Sequence, residues 1–420
     1  MTVAQRKPIR MPITNIYTGG DYSARFELGS ASQGVNLILD TGSSSLAVSR
    51  QGYAPARDQH MQATAYAQNI SYGGGSWAGP VIKTSLRLPA TDKPMQLSAV
   101  NLGLAIDQQQ SAFRQADGIF GLAYASLNPA YNLSQLLTQH DYQPAVTYPW
   151  PLQRPHQPLT GEQIQQFIEQ HNPVEHLPTT FNHIEQSGIL ADQFAFYTRR
   201  SEVHLQTHGE TLEQALRDPL NQGFFILGGG AEQRDLYRGD FTSIKICHDT
   251  FYTTELLALQ LGERPIIHID PKAQATADDA GNAIIDSGTN VVLFAGGLYQ
   301  QLLNDFHALN PAFPDMIQHY ERLIEDGKGV AVDDLQLAQW PPLHLHLSGT
   351  DGQPVALTLS PQSYWQVNAP APGQARFKLR GASDSGSQRS ILGLPLLNNY
   401  YTVFDRAFDK LGAIHFATLA

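Results

Sequence analysis

The sequence predicts a mainly β protein made of two related lobes. Three observations carry that expectation: a chain of 420 residues, a series of short strand-like runs separated by glycine turns, and one motif that occurs twice about half a chain apart. A chain of this length exceeds what one ordinary hydrophobic core encloses, so two lobes are favoured over one. At 42% hydrophobic and 15% charged residues, with no low-complexity tract, it can bury a sizeable core and is not a disordered chain.

The strand-like runs are Ala24 to Leu28, Val35 to Leu39, Val81 to Leu88, Ala283 to Ile285, Val291 to Phe294, Leu343 to Leu347 and Tyr400 to Phe404. Helical periodicity is sparser and is clearest at Gly161 to His171, Leu212 to Arg217 and Gly297 to Leu309. Between Gln143 and Pro178 lies a proline-rich stretch containing Tyr148-Pro149-Trp150-Pro151, which reads as a surface insertion.

Charge and cysteine usage narrow the class. Lys and Arg total 27 against 38 Asp and Glu, and no basic cluster accompanies the aromatic residues, so nucleic acid is not an expected partner. The single cysteine, Cys247, rules out intramolecular disulfides and points to a reducing compartment. The N-terminus MTVAQRKPIRMPIT lacks the apolar region of a secretory signal, and no run approaches a membrane span. The expected address is the cytoplasm.

The duplicated motif is the most informative feature. VNLIL runs into Asp40-Thr41-Gly42-Ser43 and is followed by Gly118-Ile119-Phe120-Gly121-Leu122; AII runs into Asp286-Ser287-Gly288-Thr289 and is followed by Ser390-Ile391-Leu392-Gly393-Leu394. An isolated Asp-Thr-Gly is ordinary turn chemistry. Two copies at equivalent places in two lobes would set two carboxyls side by side, where like charges cannot both ionise easily. Such a pair shares one proton, which suits metal-free hydrolysis by an activated water.

With these residues the chain resembles the pepsin family of aspartic peptidases over nearly its whole length. LDTGSSSLAV, IIDSGTNVVLF, ISYGGGSWAG at 70 to 79, ADGIFGLAY at 116 to 124 and SILGLPLLNNYYTVFDRAFDKLG at 390 to 412 carry the likeness. It is most similar to the bacterial cytoplasmic members called shewasins. The resemblance implies a two-lobed pepsin-like fold with a pseudo-twofold axis and a cleft between lobes 1–197 and 198–420. It further implies a monomeric, pepstatin-sensitive endopeptidase with an acidic optimum. That enzyme would need no cofactor and would act on peptides or unfolded proteins with bulky apolar residues flanking the cut. Strand-like sequence reaches Asp40 early, so no inhibitory pro-segment is expected.

Carried over by motif, Asp40 and Asp286 are the catalytic pair. Gly42 and Gly288 let the opposing loops approach, and the Thr41 and Ser287 hydroxyls reach the opposite loop. The Ser43 and Thr289 hydroxyls bond the outer carboxyl oxygens. Tyr72, with Gly73 and Gly74, matches the hairpin flap over the substrate. The chain departs from the family at Gly74, where a hydroxyl residue is usual, and at Leu394, where aspartate is commoner. It also departs at Ala47, which replaces the tryptophan whose ring nitrogen steadies the flap tyrosine, so that bond is expected to be missing.

Other residues have plainer readings. Phe113 fits a substrate pocket or a core equally well. His344 and His346 share a strand face at metal-compatible spacing but find no further ligand in the pattern, so an ordinary strand is expected and no metal. Cys247 reads as a packed strand residue. A pepsin-fold binding or inhibitor protein is the rival function; a carbohydrate-binding β protein would leave the duplicated loops unexplained.

Overall fold

The duplicated strands are apolar at consecutive positions because both of their faces are covered, and the covering elements are visible in a computed structural model. It describes residues 7–89, 95–109, 112–150, 161–171, 175–188, 190–269, 281–382 and 389–420. Pro151 and the stretch to residue 160 therefore lie outside the described residues, as do 1–6 of the N-terminal run. The chain divides into two compact units, one whose main body is Ser23–Ile189 and one that combines Gln5–Tyr22 with Leu190–Ala420.

In the first unit the strand order is Glu175–His176, Pro129–Asn132, Gln62–Tyr72, Gly75–Leu88, Met95–Ala105, Leu46–Ser49, Gly118–Gly121, Gln33–Asp40, Ser23–Leu28. The last of these also pairs with Gly75–Leu88, through Glu27 opposite Arg87 and Leu28 opposite Leu86, which closes six strands into a ring. Val35, Leu37, Leu39 and Phe26 are fully buried inside it, with Phe26 stacked on Phe120 at 5.0 Å. The proline-rich stretch is packed more firmly than a surface insertion. Tyr142, Trp150, Ile164 and Ile168 form a small core with Ala67, Leu133 and Leu137, which explains the amphipathic helix Gly161–Gln170.

The second unit holds an antiparallel sheet ordered Ile9–Thr14, Gln222–Leu227, Gln193–Tyr197, Tyr400–Asp405, Ala413–Leu419, Tyr237–Lys245. Phe194, Phe196, Phe225 and Phe404 pack against each other beneath it. A separate sheet carries Ala283–Ile285, between Tyr252–Thr254 and Ser390–Leu392. Helix Leu298–Leu309 buries Leu298, Leu302 and Phe306, one turn apart each. Sequence periodicity missed helix Ala312–Ile324. Prolines at 311 and 314 flag a break there, yet both sit at the helix start, where the ring costs no hydrogen bond. Cys247 is half-buried between strands Tyr237–Lys245 and His248–Asp249, not within a strand, and burial pushes its thiol up to about 11.

One buried charge braces the first unit. Asp58, 8% exposed, accepts from the Tyr53 hydroxyl at 2.5 Å, the Ser30 amide at 2.7 Å, the His60 amide at 2.8 Å and the Thr84 hydroxyl. Burial alone would raise its pKa, but the Thr84, Tyr53 and backbone donors outweigh it and hold the carboxyl at about 2, below its ordinary 3.8. Its contribution to stability is thus complete above about pH 4 and is lost as pH falls through 2. Asp58→Asn should lower unfolding stability at pH 7 by about 2 kcal/mol, and denaturant titrations should find the gap from wild type closing toward pH 2.

Candidate active site

Asp40 is the last residue of strand Gln33–Asp40, whose final four residues are buried. That strand runs parallel to Gly118–Gly121, with Leu37, Ile38, Leu39 and Asp40 opposite Gly118, Ile119, Phe120 and Gly121. The Asp40 carbonyl accepts from the Leu122 amide at 2.8 Å and the Ser43 carbonyl from Ala123 at 2.8 Å, so the loop is pinned on both sides of its turn. A Cβ on Gly121 would sit 2.5 Å from the Ser44 backbone, closer than any side chain tolerates. The Asp40 carboxylate is 7% exposed, and its Oδ1 accepts from the Gly42 amide at 2.7 Å. Ser44 donates to the Tyr124 carbonyl at 2.5 Å and Ser45 to Asn128 Oδ1 at 2.9 Å. Asn128, unremarkable in sequence, also accepts from Gln68 and donates to the Leu177 carbonyl.

Asp286 has the same setting. It follows Ala283–Ile285, which runs parallel to Ser390–Leu392, and its amide donates to the Leu392 carbonyl at 3.2 Å. Gly393 fills the role of Gly121: a Cβ there would lie 2.2 Å from the Thr289 carbonyl oxygen. Asp286 Oδ1 accepts from the Gly288 amide at 2.8 Å, matching the first loop. Leu394, where the family commonly has aspartate, is fully buried and opens the short helix Leu394–Leu397, and its amide donates to the Thr289 carbonyl at 2.8 Å. The hydroxyl pair differs between loops. Thr289 donates to Asp286 Oδ2 at 2.6 Å, whereas the buried Ser43 hydroxyl makes no hydrogen bond among the described residues. Both Thr41 and Ser287 are buried.

Tyr72 and Gly75 close the hairpin of Gln62–Tyr72 and Gly75–Leu88, with Gly73 and Gly74 as its two-residue turn. Neither turn glycine has a positive φ, and a Cβ on either would meet nothing within 4 Å. Trp77 Nε1 donates to the Tyr72 hydroxyl at 3.1 Å. Ala47 offers no ring nitrogen, as expected, but an indole still holds the tyrosine, and it comes from the hairpin's own second strand. The register explains this, since Ile70 pairs with Trp77 and Tyr72 with Gly75, which puts Tyr72 and Trp77 diagonally on one face. Two-residue turn and strand alternation were both readable in ISYGGGSWAG. Trp77 is 1% exposed, and Gly103 makes room for it, a Cβ there falling 2.4 Å from the ring. Burial pushes the Tyr72 phenol well above its usual pKa; the Trp77 donor opposes this and the Asp40 charge adds to it, so Tyr72 is a neutral hydroxyl.

The remaining candidates are structural. Phe113 is 1% exposed. His344 and His346 lie half-buried on one face of Leu343–Ser348, with His344 Nδ1 2.9 Å from the Thr358 hydroxyl. Among the described residues no group of three His, Cys, Asp or Glu is arranged to hold a metal. No described helix is long and apolar enough to cross a membrane.

Comparison with known proteins agrees with this geometry. The family model described as eukaryotic aspartyl protease matches residues 21–143 and 212–417. Chicken pepsin A is 22% identical over 414 residues, covering 96% of this chain and 85% of its own. Bovine pregnancy-associated glycoprotein 1 is 21% identical over 417 residues, covering 93% and 80%. The vacuolar aspartic protease of Candida albicans is 31% identical over 143 residues, 29% of this chain and 32% of its own.

Trp77→Phe keeps a ring over Gly103 but removes the donor to Tyr72, at a cost of about 1 kcal/mol. Hydrogen–deuterium exchange of the 66–80 hairpin should accelerate by roughly fivefold, with exchange in strand Gln33–Asp40 unchanged. Equal hairpin exchange in variant and wild type would mean that this bond does not hold the hairpin.

Proposed function

The chain belongs to the pepsin-like family of aspartyl proteases, and from that premise we propose that it is an aspartic endopeptidase in which Asp40 and Asp286 act on one water. The observation that carries the reading is the duplicated loop. Each carboxylate ends a buried strand, is backed by a parallel apolar-Gly strand, and accepts from the glycine amide two residues on, at 2.7 and 2.8 Å. Two loops built alike in different units suit two carboxyls that serve one reaction.

In this reading the pair shares a single proton. The ionised carboxyl takes a proton from water as its oxygen attacks the peptide carbonyl, and the protonated carboxyl donates to the carbonyl oxygen. Collapse of the tetrahedral diol, with protonation of the nitrogen, releases acid and amine and restores the singly protonated pair. The substrate is an extended peptide or unfolded protein, bound by strand-like backbone hydrogen bonds in a cleft between the two lobes, with bulky apolar side chains beside the cut. The Tyr72 hairpin closes over it through the Gly73-Gly74 backbone. We place the protein with the shewasin-like, cytoplasmic, pepstatin-sensitive monomers of the family. It needs no cofactor.

The decisive assay is cleavage of a peptide with two adjacent bulky apolar residues, with and without a statine-type transition-state mimic. Inhibitable cleavage is expected; mimic binding without cleavage would assign the chain to an inactive binding protein instead. Asp40→Ala and Asp286→Ala should each lower kcat by about 10⁴ or more, and the double variant should be little worse, because the pair acts as a unit. Activity within tenfold of wild type in either would refute the assignment.

A pH profile tests the shared proton. Activity should peak at about pH 4 and fade toward neutral as the second carboxyl ionises. The Thr289 hydroxyl stabilises the ionised form, so Thr289→Ala should move the alkaline limb of kcat/KM upward by roughly 0.5 to 1 unit, the size of one charge-assisted hydrogen bond. Ser43→Ala should move it less, since the Ser43 hydroxyl makes no hydrogen bond among the described residues. An optimum at pH 7 or above would overturn the account.

A further inference from the structure

We propose that a cavity in the Ser23–Ile189 unit is a second ligand site, one that takes a small apolar or aromatic carboxylate. It has a volume of about 320 Å³ and opens to solvent. That is the lower end of the roughly 300–1,000 Å³ range in which small-molecule sites fall. Its lining comes from the end of strand Leu46–Ser49 and the turn after it, the end of strand Met95–Ala105, and the docked segment at Tyr148 and Trp150. No residue of the Asp40 loop or the Tyr72 hairpin contributes, so the site is independent of the proposed reaction.

The chemistry of the lining selects the ligand. Val48, Leu104, Ile106 and Pro149 give it apolar surface, and Tyr53 and Trp150 are fixed aromatic walls. Tyr53 is 3% exposed and tied to Asp58 at 2.5 Å; Trp150 is 7% exposed and its Nε1 donates to Asp107 at 2.9 Å. Such walls are already in place before anything binds, which lowers the cost of ordering. Two residues with side-chain donors, the exposed Arg50 and the half-buried Tyr148, are part of the lining. Arg50 gives one hydrogen bond, from an NH2 group to the Trp150 carbonyl at 3.1 Å, and makes no ion pair among the described residues. The Tyr148 hydroxyl makes no hydrogen bond among them. No Asp or Glu lines the cavity; Asp58 lies behind the Tyr53 hydroxyl and Asp107 behind the Trp150 indole, each hydrogen-bonded to that wall. A guanidinium with no ion-pair partner among the described residues, set beside aromatic walls, can grip a carboxylate in two places with its remaining N–H groups.

Isothermal titration calorimetry of the full chain at pH 7 tests this with 3-phenylpropionate as probe. Saturable one-to-one binding at roughly millimolar affinity is expected for a ligand of this size. The neutral 3-phenylpropionamide should bind at least fivefold more weakly. Arg50→Gln should weaken the carboxylate about tenfold and leave the amide within twofold, and Tyr148→Phe should weaken the carboxylate about threefold. A statine-type peptide mimic at saturation should leave the binding unchanged. The proposal is overturned if the acid does not saturate, if acid and amide bind alike, if Arg50→Gln with an unaltered melting temperature binds as wild type does, or if the mimic displaces the probe. Acetyl-glycyl-phenylalanine separates the two natural sources: binding as tight as the free acid's assigns the site to peptide C-termini, and markedly weaker binding assigns it to free small acids.

Discussion

Both aspartate loops depend on backbone approaching backbone more closely than a side chain permits. At Gly121 and Gly393 the returning strand lies directly against the loop that follows each aspartate, and a single methyl group at either would push it away. From that contact follow the amide-to-carbonyl bonds at Ala123 and Leu394, the fixed turn, and the carboxylate oxygen aimed at the glycine amide. The aspartates are thus held by main chain, which has few soft torsions, and their geometry is set by the sheets beneath them.

Placing charge in these interiors requires partners chosen in advance. Asp58 is surrounded by four donors, and Lys378, 3% exposed, is paired with Glu202, which also receives Arg376 at 3.0 Å. Burial lowers the Lys378 pKa and Glu202 counters it. In each case removing one member leaves the other stranded, a far larger loss than the pair's net worth.

Much of this was legible in the sequence where local pattern and tertiary role coincide. Continuous apolar runs ending in Asp-Thr-Gly and Asp-Ser-Gly announced strands covered on both faces, and these strands stand within two residues of their expected bounds, whereas the run expected from Val81 begins six residues earlier at Gly75. What escaped depended on partners distant in sequence. Asn128 is a polar residue in a loop until Ser45 and Gln68 meet it. Prolines hid helix Ala312–Ile324, because a proline breaks a helix interior but suits its first turn. Trp150 and the helix Gly161–Gln170 looked like an appendage because their partners, Ala67 and Leu133, lie in strands and loops far earlier in the chain. At Ala47 the loss of one indole was visible, and its replacement by another from across the hairpin needed the register.

The lone cysteine has a practical corollary. Half-buried and with its thiol pushed up to about 11, Cys247 exists as thiolate to an extent on the order of one part in ten thousand at pH 7, which slows its alkylation. The turn glycines, by contrast, face open space and leave a side chain unhindered. A thiol introduced at Gly74 would therefore be the only one to react promptly with maleimide, and the motion of the hairpin could be followed by a single dye on an otherwise native chain.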